Sequence, residues 1–311
     1  MATYTELDER SIQACLDLTA LGTLKSFRKP NHGIENTNYL LEVEDNNGKP
    51  VSCVLTIYEG LSKHQIRIYT ACLKQWGRIL PVPLPLQDEP KSVPNFPEKD
   101  FVIASKLEGE HLLQPSVDQC AQMGHFLAHF HCTALNTPLT LTNPRGIPWA
   151  LAYEPSALLC TAPDRALFKQ CQHAIQHLPK QLEICPQGWI HADLFPDNAL
   201  FIHDKLCGVI DFNNACTDNF LLDLCITLNA WSSLGIDASC DARFSAMLNA
   251  YTAVRPLTEV EQQHLHATLL AAAIRFWASR IDFVLETGGK PGKEPEEYRR
   301  IAESHLSQIR S

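Results

Sequence analysis

The feature that most constrains the fold is a change of sequence pattern near residue 108. Before it, "LKSFRKP", "TNYLLEVED" and "PVSCVLTIYE" are rich in branched and aromatic residues and are separated by turn residues, which predicts an antiparallel meander. After it, from "VDQCAQMGHFLAHFHCTAL" onward, the apolar spacing becomes helical. A chain of 311 residues can form two modest cores. We therefore predict a two-lobed α+β fold, with a small antiparallel-sheet lobe over residues 1–107 and a larger, mainly helical lobe over residues 108–311.

The second half of the first lobe has its own signals. The run "SKHQIRIYTACLKQWG" predicts a helix. The following "LPVPLPLQDEPKSVPNFPEKD" is too dense in proline for a helix or a central strand, so it is expected to form an ordered loop. The run "FVIASKL" then predicts a buried strand that leads out of this lobe.

The octapeptide "HADLFPDN", residues 191–198, carries the strongest chemical signal. The segments "ALFI" and "LCGVID" on either side of "HDK" predict a tight hairpin whose second strand ends at Asp211. Such a hairpin would fold Asp211 back toward Asn198 and Asp193, so that three oxygen-bearing side chains converge. Carboxylate and amide oxygens suit Mg²⁺, whereas a zinc site would use His and Cys.

The same spacing matches the catalytic loop of kinases, H-R-D-x-x-x-x-N, at His191, Asp193 and Asn198. In that chemistry the Asp accepts the proton of the attacking hydroxyl, the Asn binds one Mg²⁺, and a later Asp binds metal that bridges the phosphates. Asp211, in "VIDF", stands where the later Asp is expected. An isolated "PDN", as around Asp197, is more often a solvated turn. The hairpin that follows favours the catalytic interpretation.

The motifs "GIENTNYLLE", "VLTIYE", "HADLFPDN", "VIDF", "DLCITLNAW", "VRPLTEVE", "RFWASR" and "EPEEYRRI" follow one another along nearly the whole chain. In this order they resemble the homoserine kinases of the aminoglycoside-phosphotransferase-like type, within the protein-kinase-like fold. The resemblance implies transfer of the γ-phosphate of ATP, with Mg²⁺, to the side-chain hydroxyl of L-homoserine. It also implies that Asp193 deprotonates the hydroxyl, His191 supports the loop, and Asn198 and Asp211 hold the metal.

The third strand departs from the general kinase pattern, because Thr56 stands where kinases usually have a phosphate-binding lysine. The next helix also lacks the glutamate that pairs with that lysine, and the resembled family likewise has threonine here. Backbone amides of the turn "NHGIENTN" can form an anion-binding concavity. The expected nucleotide-binding residues of this turn are Gly33, Asn36 and Asn38. Gly33 is equally well read as an ordinary hairpin glycine.

Three cations remain possible side-chain substitutes for the lysine: Lys63, Arg67 and Lys106. By analogy with the fold, the adenine is expected against "ASKLEG", hydrogen-bonded to the backbone around Ser105 and Leu107.

An amino-acid acceptor requires a cation for its carboxylate. Arg275 and Arg280 flank "FWAS" in an otherwise apolar helix, where a charge is costly unless it is paired. One of them is the candidate for the substrate carboxylate, and the alternative is an ion pair with an acid such as Asp282. Asn213 and Asn214 follow "IDF" where the resembled family has aromatic residues, which leaves the pocket wall undefined.

Composition limits the partners. The formal charge is −9, with no dense Lys/Arg tract, so no nucleic-acid or membrane partner is expected. No stretch resembles a signal peptide or a membrane span, which predicts a cytoplasmic protein. The 12 cysteines are scattered and are read as buried thiols. Oligomeric state is not predicted.

Two alternatives to the homoserine kinase function stay open: a choline, methylthioribose or aminoglycoside kinase, or a nucleotide-binding pseudokinase.

Overall fold

The computed structural model describes residues 5–30, 36–232, 240–288 and 294–310, and in these the strands and helices segregate along the chain. The strands are β1 (Thr23–Arg28), β2 (Thr37–Glu44), β3 (Pro50–Tyr58), β4 (Lys91–Val93), β5 (Phe96–Ser105), β6 (Glu110–His111), β7 (Gln187–Ile190), β8 (Ala199–Ile202), β9 (Lys205–Val209) and β10 (Cys216–Asn219). The α-helices are α1 (Glu9–Thr19), α2 (Lys63–Trp76), α3 (Val117–Ala134), α4 (Ile147–Ala152), α5 (Ala162–Ala174), α6 (Leu178–Gln181), α7 (Phe220–Ser232), α8 (Cys240–Val254), α9 (Glu259–Thr287) and α10 (Pro295–Arg310).

The chain divides into two units with separate internal packing. The first unit contains Met1–Glu110 together with Leu200–Ile202 and Cys207–Ile210, and the second contains the remainder. The sequence analysis divided the chain at residue 107. It did not assign the two later pieces, which are parts of β8 and β9, to the first unit.

A five-stranded antiparallel sheet forms the first unit, in the order β1-β2-β3-β5-β4. The predicted meander of β1, β2 and β3 is therefore confirmed. Side chains of β2 alternate in burial, because a strand turns successive residues to opposite faces. Tyr39 and Leu41 lie on the core face, where they pack in one cluster with Ile12 and Leu16 of α1.

The prediction of an ordered loop over the whole proline-rich segment was wrong in part. The strand β4 and the start of β5 lie inside that segment and pair with each other, with Val93 opposite Phe96. The sheet accepts these residues because β4 is an edge strand, and an edge strand tolerates neighbouring prolines that cannot donate a ladder hydrogen bond. Proline density alone did not reveal this position.

Helices dominate the second unit, as predicted. All 13 residues of α7 are buried, which is typical of a helix surrounded by other elements. The 29-residue helix α9 packs against α7, α4, α5 and α10, and it begins with a capping box between Thr258 and Glu261. Beside these helices, β7 and β10 form a two-stranded antiparallel sheet in which Ile190 pairs with Cys216.

The predicted hairpin after residue 198 is present as β8 and β9, which are neighbours in a three-stranded sheet of order β6-β8-β9. His203 and Asp204 between them both have positive φ angles, 46° and 64°, the conformation of a type I′ turn. This turn matches the twist of the two strands and reverses the chain. Asp211 therefore follows the strand adjacent to the one that Asn198 precedes.

None of the helices in the described residues is long and apolar enough to cross a membrane. The cysteines that the structure describes are free thiols, and all but Cys132 and Cys207 are buried.

Candidate active site

The loop that carries His191 and Asp193 starts from a fixed point, because β7 ends at Ile190 and is paired with β10. The loop ends in a short 3-10 turn, Pro196–Asn198, directly before β8. Proline is suited to the first position of such a turn, since its φ angle is preset and its missing N–H would have no partner there. The octapeptide is thus held at both ends by strands.

Asp223 of α7 fixes the backbone at the start of this loop. Its two carboxylate oxygens accept from the amides of His191 (2.8 Å) and Ala192 (2.7 Å). Ala192 has a φ of 63°, a left-handed conformation that costs energy for a residue with a Cβ. Burial raises the pKa of the Asp223 carboxyl, but hydrogen bonds and charge interactions with His131 and His191 outweigh it, so the pKa lies below its ordinary value. A buried carboxylate therefore stabilises a strained turn.

A chain of buried polar groups extends from Asp223. His131 of α3 lies between Asp223 (Nε2 to Oδ2, 3.0 Å) and Tyr251 (Nδ1 to Oη, 2.7 Å). Burial lowers the pKa of His131, so its ring is neutral. Since the carboxylate only accepts, Nε2 donates to Asp223 and Nδ1 accepts from Tyr251. Arg255 donates to Tyr251 (3.1 Å) and pairs with Glu261 at 2.8 Å. Asp223 therefore anchors the loop by accepting hydrogen bonds from its backbone amides.

Asp193 and Asn198 are brought together by one hydrogen bond. The side-chain Nδ2 of Asn198 donates to the backbone oxygen of Asp193 at 2.8 Å. That oxygen also accepts from the amide of Phe195 at 2.9 Å. Because the partner is a carbonyl, it is the NH₂ group of Asn198 that faces it, and Oδ1 is turned away from that carbonyl. Asn198 therefore offers an oxygen of the kind that binds Mg²⁺.

Asp211 is held near the loop through its neighbour. Phe212 packs against the ring of buried His191, with ring centroids 4.6 Å apart. Asp211 is exposed, has a φ of 63°, and accepts from Nδ2 of Asn213 at 2.5 Å. Asn213 thus orients the carboxylate that was predicted to bind metal. Asp211 carries a carboxylate and Asn198 an amide oxygen, and both are oxygen ligands of the kind that Mg²⁺ prefers. Within the described residues, no three His, Cys, Asp or Glu side chains are grouped as a metal site.

The two arginines of α9 have different surroundings. Arg280 donates to the Glu297 carboxylate at 2.5 Å and to the Glu294 backbone oxygen at 2.9 Å. The ion-pair alternative therefore applies to Arg280, although its partner is Glu297. Asp282, the partner considered from the sequence, instead accepts from the hydroxyl of Tyr153 at 2.7 Å. Arg280 already has a protein carboxylate.

Among the residues that the structure describes, none provides such a carboxylate to the guanidinium tip of Arg275. Its Nε donates to the backbone oxygen of Arg145 at 2.7 Å, and the guanidinium lies 4.4 Å from the centre of the Phe276 ring. Its Nη1 is buried and has no hydrogen-bond partner in the part of the chain that the structure describes. Burial lowers the pKa of Arg275, and the charge of Asp193 acts in the opposite direction. The cation predicted for the substrate is therefore within electrostatic reach of the predicted base.

The predicted nucleotide-binding turn is described only in part, because Gly33 lies outside the described residues. The side-chain oxygen of Asn36 accepts from the amide of Glu59 at 3.2 Å. The side-chain oxygen of Asn38 accepts from the hydroxyl of Thr56 at 2.7 Å. The residue in place of the kinase lysine is thus hydrogen-bonded to a neutral amide on the adjacent strand.

Each of the three cations considered as a substitute for the lysine is close to a carboxylate of its own. The pairs are Lys63 with Asp100 (3.2 Å), Arg67 with Glu89 (2.8 Å) and Lys106 with Glu108 (2.9 Å). Their charge is balanced within the first unit.

In the segment expected to contact adenine, Ser105 already forms hydrogen bonds within the protein. The Ser105 amide donates to the Leu84 oxygen at 2.9 Å, and its hydroxyl accepts from the Leu84 amide at 2.9 Å. Leu107 packs closely on Gly208, so that a Cβ added to Gly208 would lie 2.7 Å from the Leu107 side chain.

A feature that the sequence analysis missed is a partly exposed apolar patch on the sheet face opposite the α1 core. It consists of the cross-strand neighbours Leu40, Val54 and Ala104.

The family and the relatives that this chain matches show a phosphotransferase with a hydroxyl acceptor. Residues 26–257 match the model of the phosphotransferase enzyme family, and the chain belongs to that family. The chain is 33% identical to homoserine kinases of Brucella canis and Brucella abortus, over 98% of its own length and 94% of theirs.

Solved structures share the fold. The amicoumacin kinase hAmiN, in complex with AMP-PNP, Ca²⁺ and Ami, is similar with a TM-score of 0.68 and 15% identity, over 95% of this chain and 93% of that one. A microcompartment-associated aminopropanol kinase has a TM-score of 0.67 and 16% identity, over 97% of both chains. These likenesses confirm the predicted two-lobed, protein-kinase-like fold class.

Proposed function

We propose that this protein is an ATP-dependent homoserine kinase. It would transfer the γ-phosphate of ATP to the side-chain hydroxyl of L-homoserine, giving O-phospho-L-homoserine and ADP on the route to threonine, in the cytoplasm. The similarity to Brucella homoserine kinases over nearly the whole chain supports this acceptor. The structural observation that supports it most directly is the buried Arg275, whose Nη1 has no hydrogen-bond partner among the described residues and whose charge interacts with Asp193.

In this proposal Asp193 is the general base. As the hydroxyl oxygen bonds to the γ-phosphorus, Asp193 accepts the hydroxyl proton, and the bond from that phosphorus to the β-phosphate bridging oxygen breaks. The hydrogen bond from Asn198 to the Asp193 backbone keeps this residue in place. Asp223 fixes the start of the same loop by accepting hydrogen bonds from the amides of His191 and Ala192. The His191 ring supports the loop by packing against Phe212.

Asn198 and Asp211 would hold Mg²⁺, which neutralises charge on the phosphates when it is bound. The exposed carboxylate of Asp211 and the side-chain oxygen of Asn198 suit this hard cation. Neither residue provides the nitrogen or sulfur ligands that zinc prefers.

We assign the nucleotide to residues of the first unit. The apolar patch of Leu40, Val54 and Ala104 can support the flat face of adenine, with the backbone at 105–107 as the hydrogen-bonding edge. Because the Ser105 amide is already bonded to Leu84, Leu107 is the better candidate for that edge. Asn36 and Asn38 are assigned to the phosphates.

The test is an acceptor panel with the purified protein, Mg²⁺ and ATP. L-homoserine, choline, methylthioribose and an aminoglycoside are compared by ADP release, and the product is identified by mass and ³¹P NMR. We expect the highest kcat/KM for L-homoserine and a product that carries one phosphoryl group on the side-chain oxygen. A higher kcat/KM for another acceptor would refute the assignment. Calorimetric binding of Mg·ATP without turnover on any acceptor would favour the pseudokinase alternative.

A further inference from the structure

Tyr298 of α10 is an unusual buried residue in the second unit. Its ring packs against Phe276 and Phe195, with centroid distances of 5.3 and 6.2 Å. The guanidinium of Arg280 lies 4.5 Å from the ring centre, and Arg280 is itself held by Glu297. The ring is therefore fixed by aromatic and cation–π contacts on several sides.

The hydroxyl of Tyr298 is left without a partner. Tyr298 is 0% exposed, and its Oη makes no hydrogen bond to any of the residues that the structure describes. Buried tyrosine hydroxyls normally find a partner, because leaving a buried donor unsatisfied costs free energy. Burial also raises the pKa of Tyr298 far above its ordinary value, so the group is a neutral O–H donor.

A second buried donor also lacks a hydrogen-bond acceptor among the described residues. Nη1 of Arg275, on the neighbouring helix α9, is also buried without a partner in the described part of the chain. The charge of Asp193 acts on both Arg275 and Tyr298, and the charge of Arg275 acts on Tyr298. Both side chains also contact one ring, because Phe276 lies 4.4 Å from the Arg275 guanidinium and 5.3 Å from the centre of the Tyr298 ring. Phe276 packs in turn on Phe195 of the loop that carries Asp193, with ring centroids 4.9 Å apart.

We propose that the Tyr298 hydroxyl and Arg275 Nη1 together bind the α-carboxylate of the amino-acid acceptor, an inference that rests on the proposed function. A carboxylate has two oxygens and only accepts, so it can take one hydrogen bond from each donor and neutralise the buried cation. Tyr298 is then a determinant of specificity, since its hydrogen bond favours acceptors that carry the carboxylate over amino alcohols that lack it. A site whose polar groups stay unpaired with the wrong acceptor discriminates strongly against it.

The experiment compares wild type with Tyr298→Phe, which removes only the hydroxyl oxygen and its hydrogen. L-homoserine is compared with 3-aminopropan-1-ol, which has the same hydroxyl and amine but no carboxylate, at saturating Mg·ATP. We expect the KM for L-homoserine to rise by roughly 10- to 100-fold, the range for one hydrogen bond to a charged group. The KM for ATP and the kcat/KM for 3-aminopropan-1-ol should stay within about threefold of wild type, since neither involves this hydrogen bond.

Tyr153→Phe is the matched control, because it removes the same group from a hydroxyl that already donates to Asp282. It should leave the KM for L-homoserine unchanged. Arg275→Lys keeps a charge but loses the planar fork, and it too should raise the KM for L-homoserine selectively.

The outcomes separate the two proposals. Wild-type protein that does not phosphorylate L-homoserine would overturn both. If the wild-type protein phosphorylates L-homoserine and a folded Tyr298→Phe variant has the same KM for it, only the role of Tyr298 is overturned. Should Tyr298→Phe fail to fold, the wild-type protein still decides, because equal kcat/KM for L-homoserine and 3-aminopropan-1-ol would exclude a carboxylate site.

Discussion

Asp223→Asn is the substitution that most directly tests how the catalytic loop is held. In the wild-type protein, Oδ1 of Asp223 accepts from the Ala192 amide, and Oδ2 accepts from the His191 amide and from His131. An asparagine has nearly the same shape but only one acceptor oxygen. In its best orientation the remaining oxygen keeps the two bonds at Oδ2, and its NH₂ group faces the Ala192 amide, donor against donor.

The magnitude follows from these three bonds. Loss of the bond to Ala192 leaves a buried N–H unsatisfied beside an NH₂ group, and the two remaining bonds change from charged to neutral acceptors. Together this should lower the free energy of unfolding by about 3–5 kcal/mol. That is a large part of the 5–15 kcal/mol typical of folded proteins. Since Ala192 is strained at φ 63°, the loop should also shift, and a misplaced base should lower kcat by about 10²-fold.

The assay is urea unfolding followed by circular dichroism, with kcat measured at saturating substrates and at a temperature where the variant is folded. Asp118→Asn is the control: it makes the same chemical change at an exposed residue whose contact is Gln122, and it should change stability by less than about 0.5 kcal/mol. An Asp223→Asn protein whose stability lies within about 1 kcal/mol of wild type, with unchanged kcat, would refute the idea that this carboxylate holds the loop.

Three further changes have equally definite expectations. Asp193→Asn should lower kcat by about 10²–10⁴ with little change in the KM for ATP, as measured by ADP release, because the general base is lost. Asn198→Ala should raise the Mg²⁺ concentration for half-maximal rate, and Asn198→Asp, which retains an oxygen ligand, should raise it less. Burial lowers the pKa of His305 to about 4, so the unfolded chain binds more protons between pH 6.5 and 4. Stability should therefore fall by up to roughly 2–3 kcal/mol as the pH drops through that window, and His305→Gln should remove this part of the slope in urea unfolding.

Local patterns in the sequence were enough to predict the strands of the meander and the hairpin after residue 198. Alternating burial and turn residues depend on neighbours along the chain, and so does the spacing from Asp193 to Asn198. The hairpin β4–β5 was missed because the same prolines that exclude a central strand are compatible with an edge strand. The sequence carries no local sign of which of these two positions a segment takes.

The network that fixes the loop could not be predicted in the same way. His131 bonds to Asp223, 92 residues away, and to Tyr251, 120 residues away. From the sequence, each of these residues is predicted only to be a polar group in an apolar helix. Their pairing depends on how α3, α7 and α8 pack, and that packing is set by side chains spread over the whole second unit. Long-range hydrogen bonds of this kind have no periodic signature.

Arg275 and Arg280 show why the acceptor site in particular needs the structure. They are five residues apart on one helix, so they project about 140° apart around its axis. α10 packs against α9 and brings Glu297 to Arg280. The other side of α9 faces the loop, where Arg275 interacts with Asp193. Both arginines satisfy the same sequence rule, a charge in an apolar helix that requires a partner. Only the position of α10 assigns a protein carboxylate to Arg280, and this is why Arg275 is the arginine whose partner would come from the substrate.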